Sequence, residues 1–158
     1  MTERVILEPG QPAPDFSLQD QHGDTVSLES LRGSRVVLFV YPAAMTPGCT
    51  TEACDFRDSI EPLKAAGYRV LGLSPDDPAK QRRFDEQEGL GYPLLSDPTR
   101  ETLVAYGAFG EKKNYGRVVE GVIRSTFVID EAGRIEHALY NVKATGHAAR
   151  VRKLLGVA

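Results

Sequence analysis

The chain has 158 residues, 41% of them hydrophobic, which is enough to bury one substantial core and requires no second domain. Its formal net charge of −3, with no basic stripe or Lys/Arg cluster, is the wrong sign for a nucleic-acid or anionic-membrane surface. No segment approaches the roughly 20 apolar residues of a membrane helix, and residues 1–8 hold no signal-like apolar run, so a cytoplasmic protein is expected.

In chain order, residues 9–14 are Pro- and Gly-rich and read as a loop. Residues 15–18 and 25–28 flank the turn-rich stretch 20–24 and predict a short hairpin ahead of the main fold. The apolar run 36–40 predicts a buried strand, which Pro47 and Gly48 cannot comfortably continue. From Thr50 the sequence turns polar and helix-compatible until Gly67, predicting a helix over 50–66, and the strand 68–74 then completes a βαβ unit. Asp77-Pro78 and Asp97-Pro98 each set an N-cap aspartate before a proline suited to the first helical position. They predict helices over 78–89 and 98–107, with a short strand at Leu94-Leu95 between them. Residues 125–129 and 135–140, joined by the turn 130–133, predict a hairpin, and a helix over 146–155 closes the chain. This alternation predicts an α/β protein, one domain over residues 1–158, in which a central mixed β-sheet is flanked by helices and preceded by an N-terminal β-hairpin extension.

Both cysteines, Cys49 and Cys54, follow the 36–40 strand. In a reducing compartment two thiols serve catalysis or metal binding more often than a structural disulfide. With only His22, His137 and His147 elsewhere, they match no usual zinc spacing, so redox chemistry leads and no metal is expected. Cys49 should sit at or just before the first turn of a helix, where free backbone N–H groups and the helix dipole stabilise an anion. The histidines have no motif context and are expected at surface or turn positions. Tyr41 and Phe127 read as pocket wall or core.

The spacing Pro42-x-x-x-Thr46-x-x-Cys49 is similar to the active-site signature of the peroxiredoxins. The wider run Thr46-Pro-Gly-Cys-Thr-Thr-Glu-Ala-Cys-Asp-Phe-Arg57 resembles the bacterioferritin comigratory protein, or peroxiredoxin Q, branch. The resemblance continues through residues 93–97, 106–113 and 121–130, and so spans nearly the whole chain. Ala43-Ala44-Met45 departs from it, since many relatives carry charged residues at this pocket rim.

The resemblance implies a thioredoxin-like fold and a cofactor-free thiol peroxidase that turns a hydroperoxide into water or alcohol. Cys49 would attack the peroxide and become a sulfenic acid, which Cys54, at the relatives' C-x-x-x-x-C spacing, would condense to an intramolecular disulfide before further oxidation. Thioredoxin or a similar dithiol would reduce that disulfide, and an intramolecular pair needs no dimer, so a monomer is expected. A free thiol is only a few per cent ionised at neutral pH, and a helix terminus supplies roughly 0.3 to 1 kcal/mol of anion stabilisation, so a second stabiliser is required. The resemblance nominates Arg124, whose guanidinium would face the sulfur. Thr46 Oγ, Arg124 and backbone N–H groups near Cys49 would donate to the departing oxygen, where charge develops. Pro42 would close one side of the pocket. Glu52, three residues after Cys49, reads as a first-turn acid that complements the dipole and organises the arginine.

Each residue also has a plainer reading. Thr46 is a loop hydroxyl capping the next turn, Pro42 a strand terminator and Cys54 an inert buried thiol. Two other functions compete: a thioredoxin-like disulfide reductase, which normally uses the C-x-x-C that this chain lacks, and a non-enzymatic peroxide sensor, which would react once without turning over.

Overall fold

Alternate residues of a strand point to opposite faces of its sheet, so the unbroken apolar run 36–40 needs cover on both sides. The computed structural model, which describes residues 4–114 and 116–157, shows how it is obtained. The hairpin β1 (Ser17–Gln19) and β2 (Thr25–Ser27) precedes β3 (Arg35–Val40), α1 (Pro47–Asp58), α2 (Ile60–Ala65), β4 (Tyr68–Ser74) and α3 (Pro78–Glu88). There follow β5 (Leu94–Ser96), α4 (Glu101–Ala105), β6 (Phe109–Asn114), β7 (Arg117–Val122), β8 (Ser125–Ile129), β9 (Ile135–Leu139) and α5 (His147–Leu154). Seven strands form one mixed sheet in the order β2-β1-β5-β4-β3-β8-β9, with β3, β4 and β5 parallel and β8 antiparallel to β3.

Val36, Leu38 and Val40 of β3 pack on one face with Leu71, Leu73, Leu103 and Phe127. Val37, Phe39 and Tyr41 pack on the other with Ala53 and Phe56 of α1, Leu63 of α2, Phe84 of α3 and Val151 of α5. Phe39 stacks on Phe56 at 4.6 Å between centroids and on Tyr41 at 5.5 Å. These rings lie across β4 at Gly72, where an added Cβ would come within 3.1 Å of Tyr41 and 2.9 Å of Leu94. The aromatic layer over which α1 lies therefore depends on a glycine in the neighbouring strand.

Three departures from the sequence expectations have local causes. The helix expected over 50–66 is two helices, and it begins earlier. Pro47 takes the first helical position, where its fixed φ is suited and its missing N–H costs nothing. The helix then breaks at Ser59, because Pro62 in an unbroken helix would clash with the carbonyl of Asp58. The two Asp-Pro pairs also diverge. Asp77 caps α3 by accepting from Lys80 N at 2.8 Å, as expected. Residues 97–100 instead form a turn, with Arg100 left-handed at φ 67°, and α4 starts only at Glu101; Asp97 still accepts from Leu103 N at 2.8 Å. Finally, β6 and β7 pair only with each other, and so lack the apolar alternation that announces a strand of a buried sheet.

His147 is a correction. His22 is exposed, and His137 is half-buried on β9, but His147 belongs to the buried stripe of α5 with Ala148 and Val151. Its Nε2 lies 2.7 Å from Thr126 Oγ1, and its ring meets Phe56 edge-on at 6.0 Å. A helix residue on the inward face is buried whatever its polarity, and one hydroxyl partner suffices for a neutral imidazole. The expectation for residues 1–8 falls partly on Met1–Glu3, outside the described residues. No helix of the described residues is long and apolar enough to cross a membrane.

Burial, with the nearby charges of Arg150 and Arg124, lowers the His147 pKa from 6.5 to about 4. Between those values the unfolded chain binds a proton that the folded chain refuses, so stability is full above pH 6.5 and falls as the pH drops towards 4. This one group should account for about 3 kcal/mol of that loss. Urea unfolding at neutral and acidic pH should show the loss in wild type and a clearly smaller one in His147→Gln; parallel pH dependences would contradict the assignment.

Candidate active site

β3 ends in the middle of the sheet and hands the chain to a tight loop, residues 41–46, in which Met45 is left-handed at φ 65°. A buried polar network fixes this loop. Ala44 N donates to Asp76 Oδ2 at 2.6 Å, the Ser74 hydroxyl donates to the same oxygen at 2.8 Å, and Lys80 Nζ lies 3.0 Å from Oδ1. The Tyr41 hydroxyl donates to Gln81 Oε1, while Gln81 Nε2 donates to Ser74 Oγ at 2.8 Å and to Leu95 O at 3.0 Å. Sequence reasoning missed this group. Its one signal is the doubled Asp76-Asp77, since a single aspartate suffices to cap α3.

Thr46 is the N-cap of α1 by its backbone, with φ −89° and ψ 153°, and its carbonyl accepts from Thr50 N at 2.8 Å. Its exposed hydroxyl donates backwards to Ala43 O at 2.8 Å and caps no helical N–H, which differs from the plain capping reading. To donate to any other oxygen it must release Ala43. Pro42 is half-buried between Tyr41 and the turn.

Cys49 is the third residue of α1, within the first turn and 1% exposed. Arg124 stands immediately before β8, whose first residue, Ser125, pairs with Val40 at the end of β3. Its Nη2 donates to Cys49 Sγ at 3.3 Å and its Nη1 to Glu52 Oε1 at 2.7 Å, so one guanidinium bridges two side chains a helical turn apart. Its carbonyl accepts from Val142 N at 3.0 Å, tying it to the loop before α5. Glu52 is not a first-turn acid, because the helix starts at Pro47 and Glu52 is its sixth residue. It is wholly buried, and its Oε2 has no hydrogen-bond partner. Burial pushes its pKa up to about 7, with Asp55 adding to the rise and Arg124 opposing it. Burial also works against the Arg124 charge, but Glu52 and Cys49 outweigh it and hold that group above its ordinary value.

Cys54 is not in this cluster. It lies half-buried on another side of α1, with Sγ donating to Glu88 Oε1 at 3.5 Å at the end of α3, where Arg57 Nη1 also donates to Glu88 O at 2.6 Å. Burial raises the Cys54 pKa; Arg57 opposes that rise and the carboxylate of Glu88 adds to it. Both thiols are free. The described residues hold no group of three or more His, Cys, Asp or Glu placed to bind a metal ion. The cluster thus offers a buried sulfur, a fixed cation touching it and a helix start beneath it, which together suit a nucleophilic thiolate.

Residues 9–138 match the AhpC/TSA family. The putative peroxiredoxin Rv2521 of Mycobacterium tuberculosis is 56% identical over 99% of this chain and 100% of its own length, and peroxiredoxin Bcp of Escherichia coli K12 is 45% identical over 89% and 90%. A structure of Xanthomonas campestris peroxiredoxin Q superposes with a TM-score of 0.86 at 33% identity, covering 98% of both chains. Structures of the bacterioferritin comigratory protein of the same organism, concerned with alkyl peroxide reduction, give 0.85 at 32% with the same coverage.

Removing the Asp76 carboxylate leaves the Ala44 N–H and the Ser74 hydroxyl without their acceptor. Asp76→Ala should therefore cost about 1–3 kcal/mol in denaturant unfolding, and Asp76→Asn, which keeps one acceptor, should cost less. Equal stability of all three proteins would remove Asp76 from its anchoring role.

Proposed function

Because the chain belongs to the AhpC/TSA family, in its bacterioferritin comigratory protein and peroxiredoxin Q branch, it is a thiol-dependent peroxidase, and we propose that Cys49 is the thiol that attacks the peroxide. The observation that carries this reading is the contact from Arg124 Nη2 to Cys49 Sγ in the first turn of α1. Guanidinium and helix start both favour the thiolate, and both remain in place as sulfur attacks one peroxide oxygen and negative charge grows on the other. Arg124, the backbone N–H groups of the first turn and the Thr46 hydroxyl, once it lets go of Ala43, are the donors for that charge. Pro42 walls the pocket on the strand side. Relatives concerned with alkyl peroxide reduction support organic hydroperoxides as substrates beside hydrogen peroxide.

Cys54 resolves the sulfenic acid in this reading. Residues five apart in an α-helix differ by about 140° around the axis and about 7.5 Å along it, which separates their Cα atoms by roughly 8 to 9 Å. A disulfide spans at most about 7 Å without backbone movement. Cys49 and Cys54 both lie within α1, so the helix must open between them, and the disulfide then becomes reachable for thioredoxin or a similar dithiol. A single domain acting as a monomer in the cytoplasm belongs to the same proposal. A disulfide reductase would need no Arg124 on its thiol, and a sensor would stop after one event.

Steady-state peroxide consumption with a thioredoxin system should proceed in wild type and vanish in Cys49→Ser, with circular dichroism unchanged. Arg124→Ala should lower the rate about 100-fold, and the deficit should persist at alkaline pH, because the lost donor acts on the departing oxygen. A limiting rate equal to wild type would leave Arg124 no transition-state role.

Amide hydrogen exchange tests the opening of α1. Peroxide treatment should deprotect residues 50–57 in wild type but not in Cys54→Ser. Unchanged protection together with a confirmed intramolecular disulfide would refute the opening, and an intermolecular disulfide would remove Cys54 as resolving thiol.

A further inference from the structure

Arg124 carries one positive charge and touches two groups that can each carry a negative one. Cys49 is 1% exposed and Glu52 is 0% exposed. Were both ionised, the cluster would hold a net −1 with both anions buried, which is costly without a further cation. Among the described residues, Arg124 is the cation paired with either group, and Arg57, farther along α1, donates instead to Glu88 O. Asp55, on the same helix, adds negative charge. Tyr92 keeps its proton and donates it to Ala53 O at 2.7 Å, with burial holding its pKa well above the ordinary value. His147, on α5, is neutral at physiological pH, and Arg150 beyond it is exposed. One oxygen of Glu52 accepts from Arg124; the other, Oε2, is buried with no donor, which is tolerable for a protonated oxygen and expensive for a charged one.

We propose that Cys49, Arg124 and Glu52 form one electroneutral unit with a single exchangeable proton, held on Glu52 while Cys49 is a thiolate and surrendered when the sulfur loses its charge. The proposal rests on Cys49 being the thiol that attacks the peroxide. The step balances. The thiolate forms a bond to one oxygen of ROOH, the O–O bond breaks, sulfur is oxidised by two electrons to the sulfenic acid and the departing RO⁻ takes a proton to become ROH. The count of protons closes because Glu52 gives up one, becoming a carboxylate as Arg124 loses the thiolate as its partner, while RO⁻ takes one up; Glu52 does not touch the departing oxygen, and the two events are linked through the charge of the unit. The unit is neutral before and after, and no net charge is created inside the protein. The pKa of about 7 reached by Glu52 suits a group that must hold a proton and give it up near neutrality. Glu52 touches Arg124 and not the sulfur, so it is a positioning and proton-holding residue rather than a catalytic one.

Infrared difference spectroscopy tests the proton directly. The Cys54→Ser protein at pH about 7, close to the Glu52 pKa, receives one equivalent of hydrogen peroxide, and mass spectrometry confirms the sulfenic acid. The expected result is loss of one buried carboxylic-acid C=O band and gain of one carboxylate band per sulfenic acid formed. Both features should be absent from the Glu52→Gln double variant and shifted in Glu52→Asp, and the rate of sulfenic acid formation should fall at least tenfold in Glu52→Gln. Sulfenic acid at Cys49 without any carboxyl signal would overturn the proton proposal and leave the peroxidatic role of Cys49 standing. Absence of sulfenic acid at Cys49 would overturn that role and this proposal with it. Because the band is read in protein that retains Glu52, poor folding of Glu52→Gln would not rescue a negative result.

Discussion

The double contact of Arg124 with Cys49 and Glu52 is the constraint around which the molecule is arranged. The arginine is 75 residues from the sulfur and 72 from the carboxyl. What brings them together is the antiparallel register of β3 and β8, in which Val40 faces Ser125. Arg124 precedes Ser125, and the loop leading to Cys49 follows Val40, so the end of one strand pair places both. A slip of one residue would turn the β8 side chains to the opposite faces and carry Arg124 off the site. The apolar alternation of β3, shared between two cores, makes such a slip prohibitive.

The parts of the fold that were legible in the sequence are those in which one residue type leaves few options. The 36–40 run, the Asp77-Pro78 cap and the Gly67 stop each became the expected boundary to within a residue or so. Cys49, Arg124 and Glu52 were nominated by resemblance to a family, and geometry joins them by hydrogen bonds. What stayed hidden required knowledge of partners. Pro47 reads as a break until the helix is seen to begin there, and Pro62 looks harmless until its clash with Asp58 is considered. His147 has no motif because it bonds one hydroxyl inside a packed face. Asp76 and Gln81 are polar residues in a polar stretch, and only the folded loop turns them inward.

α1 carries two demands that pull apart. It must hold Cys49 still beneath the guanidinium, and the proposed disulfide requires the same helix to come open. Its hold on the rest of the protein is divided accordingly. Ala53 and Phe56 bury an apolar face against Phe39 and the α5 side, whereas Cys54 and Arg57 rest on the end of α3 through one thiol contact and one carbonyl contact. An isolated helix of this length is marginal in water, so α1 depends on those contacts more than on its own hydrogen bonds.

The break at Ser59 then acquires a meaning beyond the proline that causes it. Helical order is cooperative only along an unbroken run of φ/ψ and hydrogen bonds, and Ser59, at φ −102° and ψ 1°, interrupts the run. Under the proposed opening, disorder that starts near Cys49 would travel to Asp58 and no further, because α2 has its own bonds and its own buried anchor, Leu63. A single helix over the same span would have linked the redox chemistry to the strand that follows it. Split in two, the chain would confine the proposed opening to about three turns, and the central sheet would be left as a fixed template onto which α1 could fold back.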